Sequence, residues 1–182
     1  LLVSDAYGTV PDATLLAYQR PDDASFVGAD CPMKAGILPT EVSSLINKAI
    51  DDGASIINYS ASSLSHSDHL KWAIARAMSQ GVIITAGAGN AHEDDNETSL
   101  SWWSGVVGVS AIDTDGKFAS YSSWGQGVTT TAVGGPIVAR DESGQISSTQ
   151  GTSFSSPIVA GALAQARAKW PNATSNQLLQ LL

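Results

Sequence analysis

Residues 82–90 read Val-Ile-Ile-Thr-Ala-Gly-Ala-Gly-Asn, and this stretch decides the fold class. Its apolar run is not interrupted by regular polar positions, which is typical of a strand buried on both faces of a parallel sheet. The run then passes into small residues and presents a single carboxamide, Asn90. The stretch therefore predicts a buried strand over Val82–Ala88 that ends at a functional site.

Strand and helix patterns alternate on both sides of this stretch. We predict further strands at Thr14–Tyr18, Ser55–Ser60 and Val106–Ile112, helices at Thr40–Asp52, Asp68–Gln80 and Thr152–Lys169, and a capped helix start at Thr174. Strands separated by crossover helices predict an α/β domain. We expect a mostly parallel β-sheet with helices on both faces, and a site at the carboxyl ends of the strands.

Residues 151–157 read Gly-Thr-Ser-Phe-Ser-Ser-Pro and place a hydroxyl at the start of a helix. Gly151 gives the backbone room to turn, and the unpaired N–H groups of the first helical turn point toward any anion that forms beside Ser153. Pro157 is tolerated only near a helix start, so it places Ser153 there. Taken alone, a motif this short is more often an ordinary helix cap.

Acyl transfer gives a chemical reason for combining Ser153 with Asn90. A serine hydroxyl is a weak nucleophile until a base removes its proton, and the tetrahedral intermediate needs donors fixed where negative charge develops. The Asn90 amide is such a donor, because it is neutral and keeps its protons near neutral pH. The alternative for Asn90 alone is a turn-forming residue after glycine.

Three segments in order, Ile56–Ser60, Ile83–Asn90 and the serine motif Gly-Thr-Ser-x-[Ala/Ser]-x-Pro, resemble the second half of the catalytic domain of subtilisin-like serine peptidases, the subtilase family (peptidase S8). The resemblance covers nearly all of residues 1–182 and implies one catalytic-domain segment, subtilisin-like but lacking its N-terminal strands. It implies a serine endopeptidase that hydrolyses peptide bonds through an acyl-enzyme. In it, Ser153 is the nucleophile, and the Asn90 side chain donates to the oxyanion together with the Ser153 backbone N–H.

The resemblance also implies residues that bind the peptide or protein substrate. One wall of the pocket, which pairs with the substrate backbone as an added strand, is Ser60, Ala61 and Ser62, and the facing wall is Ala86, Gly87 and Ala88. The family usually has Ser-Leu-Gly in the first wall. Ala61 and Ser62 depart from that pattern, so the preferred substrate side chain does not follow from the resemblance.

A base and its orienting carboxylate are missing from the recognisable pattern. None of the three histidines, His66, His69 and His92, precedes the Gly-Thr that follows the family's catalytic histidine. We expect the Asp and His to lie in an N-terminal portion of the same domain, which is then this segment's partner, and we expect the segment alone to be inactive and marginally stable. The alternative is a catalytically inactive subtilase-like scaffold or peptide-binding module.

Composition narrows the other classes of function. The 182 residues carry a net charge of −8, which argues against nucleic acid as a partner because phosphate contacts need clustered cations. No apolar stretch is long enough for a membrane span, and the single cysteine, Cys31, cannot form an internal disulfide. A dinucleotide fingerprint starting at Gly87 fails because its third glycine would fall at His92.

The remaining expectations concern ions, the irregular segment and location. No cofactor is required and no metal site is predicted, although the run Glu93, Asp94, Asp95 and Glu97 could supply ligands to a structural calcium ion. A pair of histidines, His66 and His69, is conceivable as a metal site but lacks a third ligand. Residues 21–38 are expected to form a surface loop near the substrate cleft. The family resemblance implies a secreted protein.

Overall fold

The structure, a computed structural model, describes residues 2–3, 8–18, 41–61, 67–94, 97–140 and 144–182. The helices are α1 (Val42–Asp51), α2 (Asp68–Ser79), α3 (Thr152–Lys169) and α4 (Ser175–Leu179). The strands are β1 (Ile56–Tyr59), β2 (Ile83–Gly87), β3 (Val106–Ile112), β4 (Thr130–Val133), β5 (Ile137–Arg140) and β6 (Ile146–Thr149), and a short 3₁₀ turn covers Leu100–Trp102.

The first four strands form one parallel sheet in the order β1-β2-β3-β4. Ile57 lies beside Ile84, and Ile84 in turn lies beside Val106, so apolar side chains form rows across the sheet. Strands β5 and β6 make a separate antiparallel pair. The predicted α/β class with a mostly parallel sheet is confirmed.

Alternate residues of β2 face opposite helical layers, as the pleat of a strand requires. Ile84 and Ala86 pack with the apolar stripe of α1 and with α2, whereas Ile83 packs with Val159 and Leu163 of α3. All five residues of β2 are buried. Helices therefore cover both faces of the sheet, which explains why the β2 sequence lacks polar alternation.

Helix α3 crosses the sheet and contacts all four of its strands. Its buried alanine and serine side chains leave room for this close packing, because small side chains let helix and sheet backbones approach each other. Pro157 lies inside the helix rather than at its first residue. Its missing N–H leaves the Ser153 carbonyl without its intrahelical hydrogen bond, a cost that falls near the start of the helix.

Most predicted elements are confirmed, with ends that differ by at most two residues. The predicted strand at Thr14–Tyr18 is wrong: these residues have no strand conformation, and the Leu15 side chain is 57% exposed. A strand needs a hydrogen-bonded neighbour, and none of the described strands pairs with this segment. Residues 21–38, with Cys31, lie outside the described residues.

Candidate active site

Three chain segments meet at the carboxyl end of the parallel sheet. They are the residues that follow β1, including Ser60, the residues that follow β2, ending in Asn90, and the first turn of α3, with Thr152 and Ser153. Hydrogen bonds join the first turn of α3 to both strand ends. The predicted nucleophile and the predicted carboxamide donor therefore lie at one place in the fold.

Thr152 fixes the orientation of the Asn90 side chain. The Thr152 backbone N–H donates to Asn90 Oδ1 at 2.8 Å, and the Thr152 hydroxyl lies 3.2 Å from the same oxygen. A backbone N–H can only donate, so the acceptor must be the carboxamide oxygen, and the Nδ2 group is the other branch. Nδ2 has no hydrogen-bond partner among the described residues, and Asn90 is exposed. An oriented, unused donor therefore lies at the start of α3.

Two glycines permit this close approach. A Cβ on Gly87 would lie 2.8 Å from the Thr152 hydroxyl and 3.0 Å from the Thr152 carbonyl oxygen, which is closer than real side chains come. A Cβ on Gly151 would lie 3.2 Å from Asn90 Nδ2. The Thr152 hydroxyl also accepts from the Gly89 backbone N–H at 3.1 Å. The small residues around Asn90 therefore let the helix start lie against the strand end.

The Ser153 hydroxyl donates to the backbone carbonyl of Ser60 at 3.0 Å. Ser153 is partly exposed, and its neighbour Thr152 is only 2% exposed. The carbonyl oxygen accepts a hydrogen bond from the hydroxyl but is too weakly basic to remove its proton. In this arrangement Ser153 lies at the carboxyl end of the sheet but is not activated as a nucleophile.

A partly buried polar cluster, made of Asn58, Ser60, Thr85 and Ser156, supports this end of the sheet. Asn58 Oδ1 accepts from the Ser156 hydroxyl at 2.7 Å and from the Thr85 hydroxyl at 3.2 Å, while Asn58 Nδ2 donates to Ser60 Oγ at 2.9 Å. Thr85 and Ser156 are fully buried. The cluster thus ties β1, β2 and α3 together one helical turn from Ser153. The sequence analysis missed the role of Asn58, although a polar residue in an apolar strand was its signal.

Burial next to the helix start also affects a tyrosine. Desolvation raises the pKa of Tyr121 above its usual 10.0, and the backbone of Gly151 acts in the opposite direction. The phenol is therefore neutral near pH 7 and places no negative charge beside the start of α3.

The described histidines do not contact Ser153. His69 Nδ1 lies 3.3 Å from a carboxylate oxygen of Glu41 at the surface, and His92 packs edge-on against the Trp124 ring. His66 lies outside the described residues. Within the described ranges, no group of three or more His, Cys, Asp or Glu side chains is arranged to hold a metal ion. Asp95 is not described, so calcium at the acidic run stays a prediction.

The residues predicted to bind substrate are partly described. Ser60 lies beside Ser153 and Ala61 is exposed, while Ser62 lies outside the described residues. Ala86 and Ala88 are 0% and 2% exposed, and the Gly87 carbonyl accepts from the Ser99 hydroxyl at 2.5 Å. Only backbone at this wall is left to meet a ligand, so its role in substrate binding stays a prediction.

The sequence model of the subtilase family matches residues 5–182, which includes all of the site segments. The chain belongs to the subtilase family. The predicted resemblance is therefore confirmed at the level of the family.

Individual proteases are similar to this chain over most of its length. A thermostable alkaline protease of Halalkalibacterium halodurans is 33% identical over 135 residues, which are 74% of this chain and 37% of that protein. Subtilisin DY of Bacillus licheniformis is 32% identical over 136 residues, 73% of this chain and 50% of that protein. This chain thus spans half or less of the length of these two relatives.

A solved subtilase-like structure has the same fold. The nisin leader peptidase NisP from Lactococcus lactis superposes with a TM-score of 0.67 at 25% identity, over 78% of this chain and 55% of that chain. No helix among the described residues is both long and apolar enough to cross a lipid bilayer.

Proposed function

We propose that residues 1–182 supply the nucleophile and the oxyanion-binding part of a serine endopeptidase. The observation that carries the proposal is the Asn90 carboxamide: Thr152, the neighbour of Ser153, holds its oxygen, and its Nδ2 donor has no hydrogen-bond partner among the described residues. Two matched relatives are named as an alkaline protease and a subtilisin, which supports the same reaction class. The substrate is then a peptide or protein, and the net charge of −8 argues against nucleic acid.

In the proposed reaction the Ser153 oxygen attacks the carbonyl carbon of the scissile peptide bond, and the hydroxyl proton passes to a base. The resulting oxyanion is bound by the Asn90 Nδ2–H and by the Ser153 backbone N–H, with the positive end of the α3 dipole behind them. Collapse of the intermediate breaks the C–N bond: the base gives its proton to the leaving amine, and the acyl group stays on Ser153. Water then loses a proton to the base and attacks the ester, the C–O bond to Ser153 breaks, the acid product leaves, and the serine oxygen regains its proton.

The described residue that Ser153 bonds offers only a backbone carbonyl, which cannot act as the base. The base of the proposed reaction must therefore come from another residue. We propose that a histidine and its orienting carboxylate belong to another portion of the same catalytic domain, docked against this one. The matched relatives, at least twice as long as the aligned segment, support this division. On binding that portion, the Ser153 hydroxyl would exchange the Ser60 carbonyl for the histidine. Export from the cell is proposed from the family alone.

A fluorophosphonate probe tests the nucleophile, because it reacts only with an activated serine. In the protein that carries this segment with its remaining catalytic portion, we expect labelling at Ser153, located by peptide mass spectrometry and abolished by Ser153→Ala. Asn90→Leu should slow peptide hydrolysis about 10²–10³-fold, equivalent to about 2.7–4 kcal/mol. Asn176→Leu, an exposed asparagine of α4, is the matched control and should leave the rate unchanged.

A second candidate, the inactive scaffold or peptide-binding module, is favoured by one observation. The Ser153 hydroxyl is hydrogen-bonded to a backbone carbonyl, and neither described histidine contacts Ser153. In that case the folded protein binds peptide but is not labelled. For the segment by itself we expect no turnover of a chromogenic peptide. Turnover that Ser153→Ala abolishes would show that the segment contains its own base.

A further inference from the structure

Three aromatic rings form an exposed row that begins two residues after Asn90. The His92 and Trp124 rings meet edge to face with centroids 4.7 Å apart, and Phe118 packs against Trp124 with centroids 6.5 Å apart. Phe118 is 46% exposed and Trp124 is 37% exposed, so the two adjacent rings present one apolar surface to solvent. We call His92, Phe118 and Trp124 the aromatic row.

The backbone beneath the aromatic row is firmly paired. The Ser123 N–H donates to the Gly89 carbonyl at 2.9 Å and the Trp124 N–H donates to the Glu93 carbonyl at 3.0 Å. The Ser110 hydroxyl of β3 donates to the Ser123 carbonyl at 2.7 Å. The segment that carries Trp124 is thereby fixed to the same strand ends that carry Asn90.

His92 adopts an unusual conformation to join the row. Its φ of +54° is the only positive φ of a non-glycine residue among the described residues. This conformation is unfavourable for a side chain with a Cβ and persists when the surroundings over-determine it. Here the His92 N–H donates to the Tyr121 carbonyl at 3.0 Å, which holds the residue in place with its ring against Trp124.

Carboxylates outnumber cations around the aromatic row. Glu93 and Asp94 follow His92 directly, and both are exposed. Asp113 and Asp115 lie in the turn that leads into Phe118, where Lys117 is the single cation. A ligand with positive charge gains from these carboxylates and from the negative faces of the rings, whereas an acidic ligand is repelled.

We propose that the aromatic row binds an arginine or lysine side chain of the peptide substrate, outside the pair Ser153 and Asn90. The cationic head would lie over the Trp124 face with Glu93 and Asp94 beside it, and the aliphatic stem would cover the exposed edge of Phe118. The identification of the ligand as a peptide rests on the proposed function. The requirement for positive charge rests on the row itself.

Binding of short blocked peptides tests the proposal in the Ser153→Ala protein, where no cleavage interferes. One peptide contains two arginines, and its partner contains citrulline, which has nearly the same shape without the charge. Calorimetry should show tighter binding of the arginine peptide, and added salt should reduce the difference. Trp124→Leu should weaken binding of the arginine peptide about two- to fivefold. Trp72→Leu, which removes a tryptophan that is 68% exposed on α2, should not.

Two further variants separate loss of the row from loss of folding. His92→Gly removes one ring at a position where glycine is the better backbone choice, so it should weaken arginine-peptide binding without lowering stability. Glu93→Gln with Asp94→Asn should also weaken it, whereas the exposed Asp12→Asn should not. Equal binding of arginine and citrulline peptides, no binding of either, or unchanged affinity in folded Trp124→Leu would overturn the proposal. Fluorophosphonate labelling of the wild-type serine is scored separately, so failure of the row and failure of the peptidase function are distinguishable.

Discussion

Asn90 Oδ1 accepts the Thr152 backbone N–H at 2.8 Å, across 62 positions of sequence. This single bond decides which end of the carboxamide points away from α3, because the oxygen is occupied and the nitrogen has no partner in the part of the chain that the structure describes. It also satisfies one of the N–H groups that a helix start leaves without an intrahelical partner. The same interaction caps α3 and prepares the proposed oxyanion donor.

Thr152→Val tests what the Thr152 hydroxyl contributes to this arrangement. It keeps the shape of the side chain but removes the hydroxyl that accepts from Gly89 and bonds Asn90, so a buried N–H loses its partner. We expect the free energy of unfolding, measured with urea, to fall by about 1–3 kcal/mol. Labelling of the serine should slow as well. Thr152→Ser retains the hydroxyl and is the control, and equal stability of the two variants would contradict the assignment.

Gly87→Ala should disturb the start of α3 through contact alone. The new methyl group would lie 2.8 Å from the Thr152 hydroxyl and 3.0 Å from its carbonyl oxygen, so helix and strand must move apart. We expect a loss of about 1–3 kcal/mol in unfolding free energy and slower probe labelling.

Gly53→Ala is the control for the glycine substitution. Gly53 has open space around its Cβ position but a φ of +86°, so it should lose stability from its backbone conformation and leave labelling unaffected. Labelling that slows equally in both variants would show that general destabilisation, and not the Thr152 contact, is responsible.

A double-mutant cycle on Asn58 and Ser156 tests the partly buried polar cluster. Ser156→Ala removes one of two hydroxyls that donate to Asn58 Oδ1 and should cost about 1 kcal/mol. Asn58→Leu leaves the buried hydroxyls of Thr85 and Ser156 without this acceptor and should cost more, about 2–4 kcal/mol. The two losses, measured by urea unfolding, should not add, because the variants remove a shared bond. Strict additivity would mean that the contact contributes nothing.

The pair Tyr18 and Asp52 predicts a change in stability at high pH. The Tyr18 hydroxyl donates to Asp52 at 2.6 Å, and this hydrogen bond raises the pKa of Tyr18 from 10.0 to about 12. Because the folded chain holds this proton more tightly than the unfolded chain, the contribution is complete below about pH 10 and is lost as the pH rises toward 12. Both groups are exposed, so the effect is small.

Tyrosinate absorbance measures the Tyr18 ionisation directly. Tyr18→Phe should remove ionisation near pH 12 from the titration of the folded protein, while Tyr59→Phe should leave that part unchanged. Stability of wild type and Tyr18→Phe should differ most near neutral pH and converge above about pH 12. A wild-type titration in which Tyr18 ionises at its usual pKa would contradict the hydrogen bond.

Local sequence patterns predicted the strands and helices whose formation depends on residues close together in sequence. The apolar run of β2 and the boundaries of β3 and α3 follow from periodicity and from helix start and stop signals, and the capping box at Thr174 is present with Gln177. Thr14–Tyr18 failed because an apolar pattern reports preference but not the presence of a neighbouring strand. Strands β4, β5 and β6 were missed, since each is short and its residues are at least partly exposed where described.

The sequence predicted the reactive residues of the site but not the residues that hold them in position. Ser153 and Asn90 stand out because a serine motif and a carboxamide end two recognisable patterns. Their shared neighbour Thr152 and the contribution of Asn58 depend on contacts between residues distant in sequence. The aromatic row was equally hidden, because His92, Phe118 and Trp124 come together only when β3 and its following turn lie beside the end of β2.

The order β1-β2-β3-β4 has a consequence for synthesis on the ribosome. Each strand of this sheet is added next to the one that emerged before it, so nascent chain can extend the sheet in one direction without waiting for a distant strand to be inserted between earlier ones. Helix α3 emerges after all four strands and packs across them. Among the described elements, α3 therefore brings the serine to its site only after the four strands of the sheet have left the ribosome.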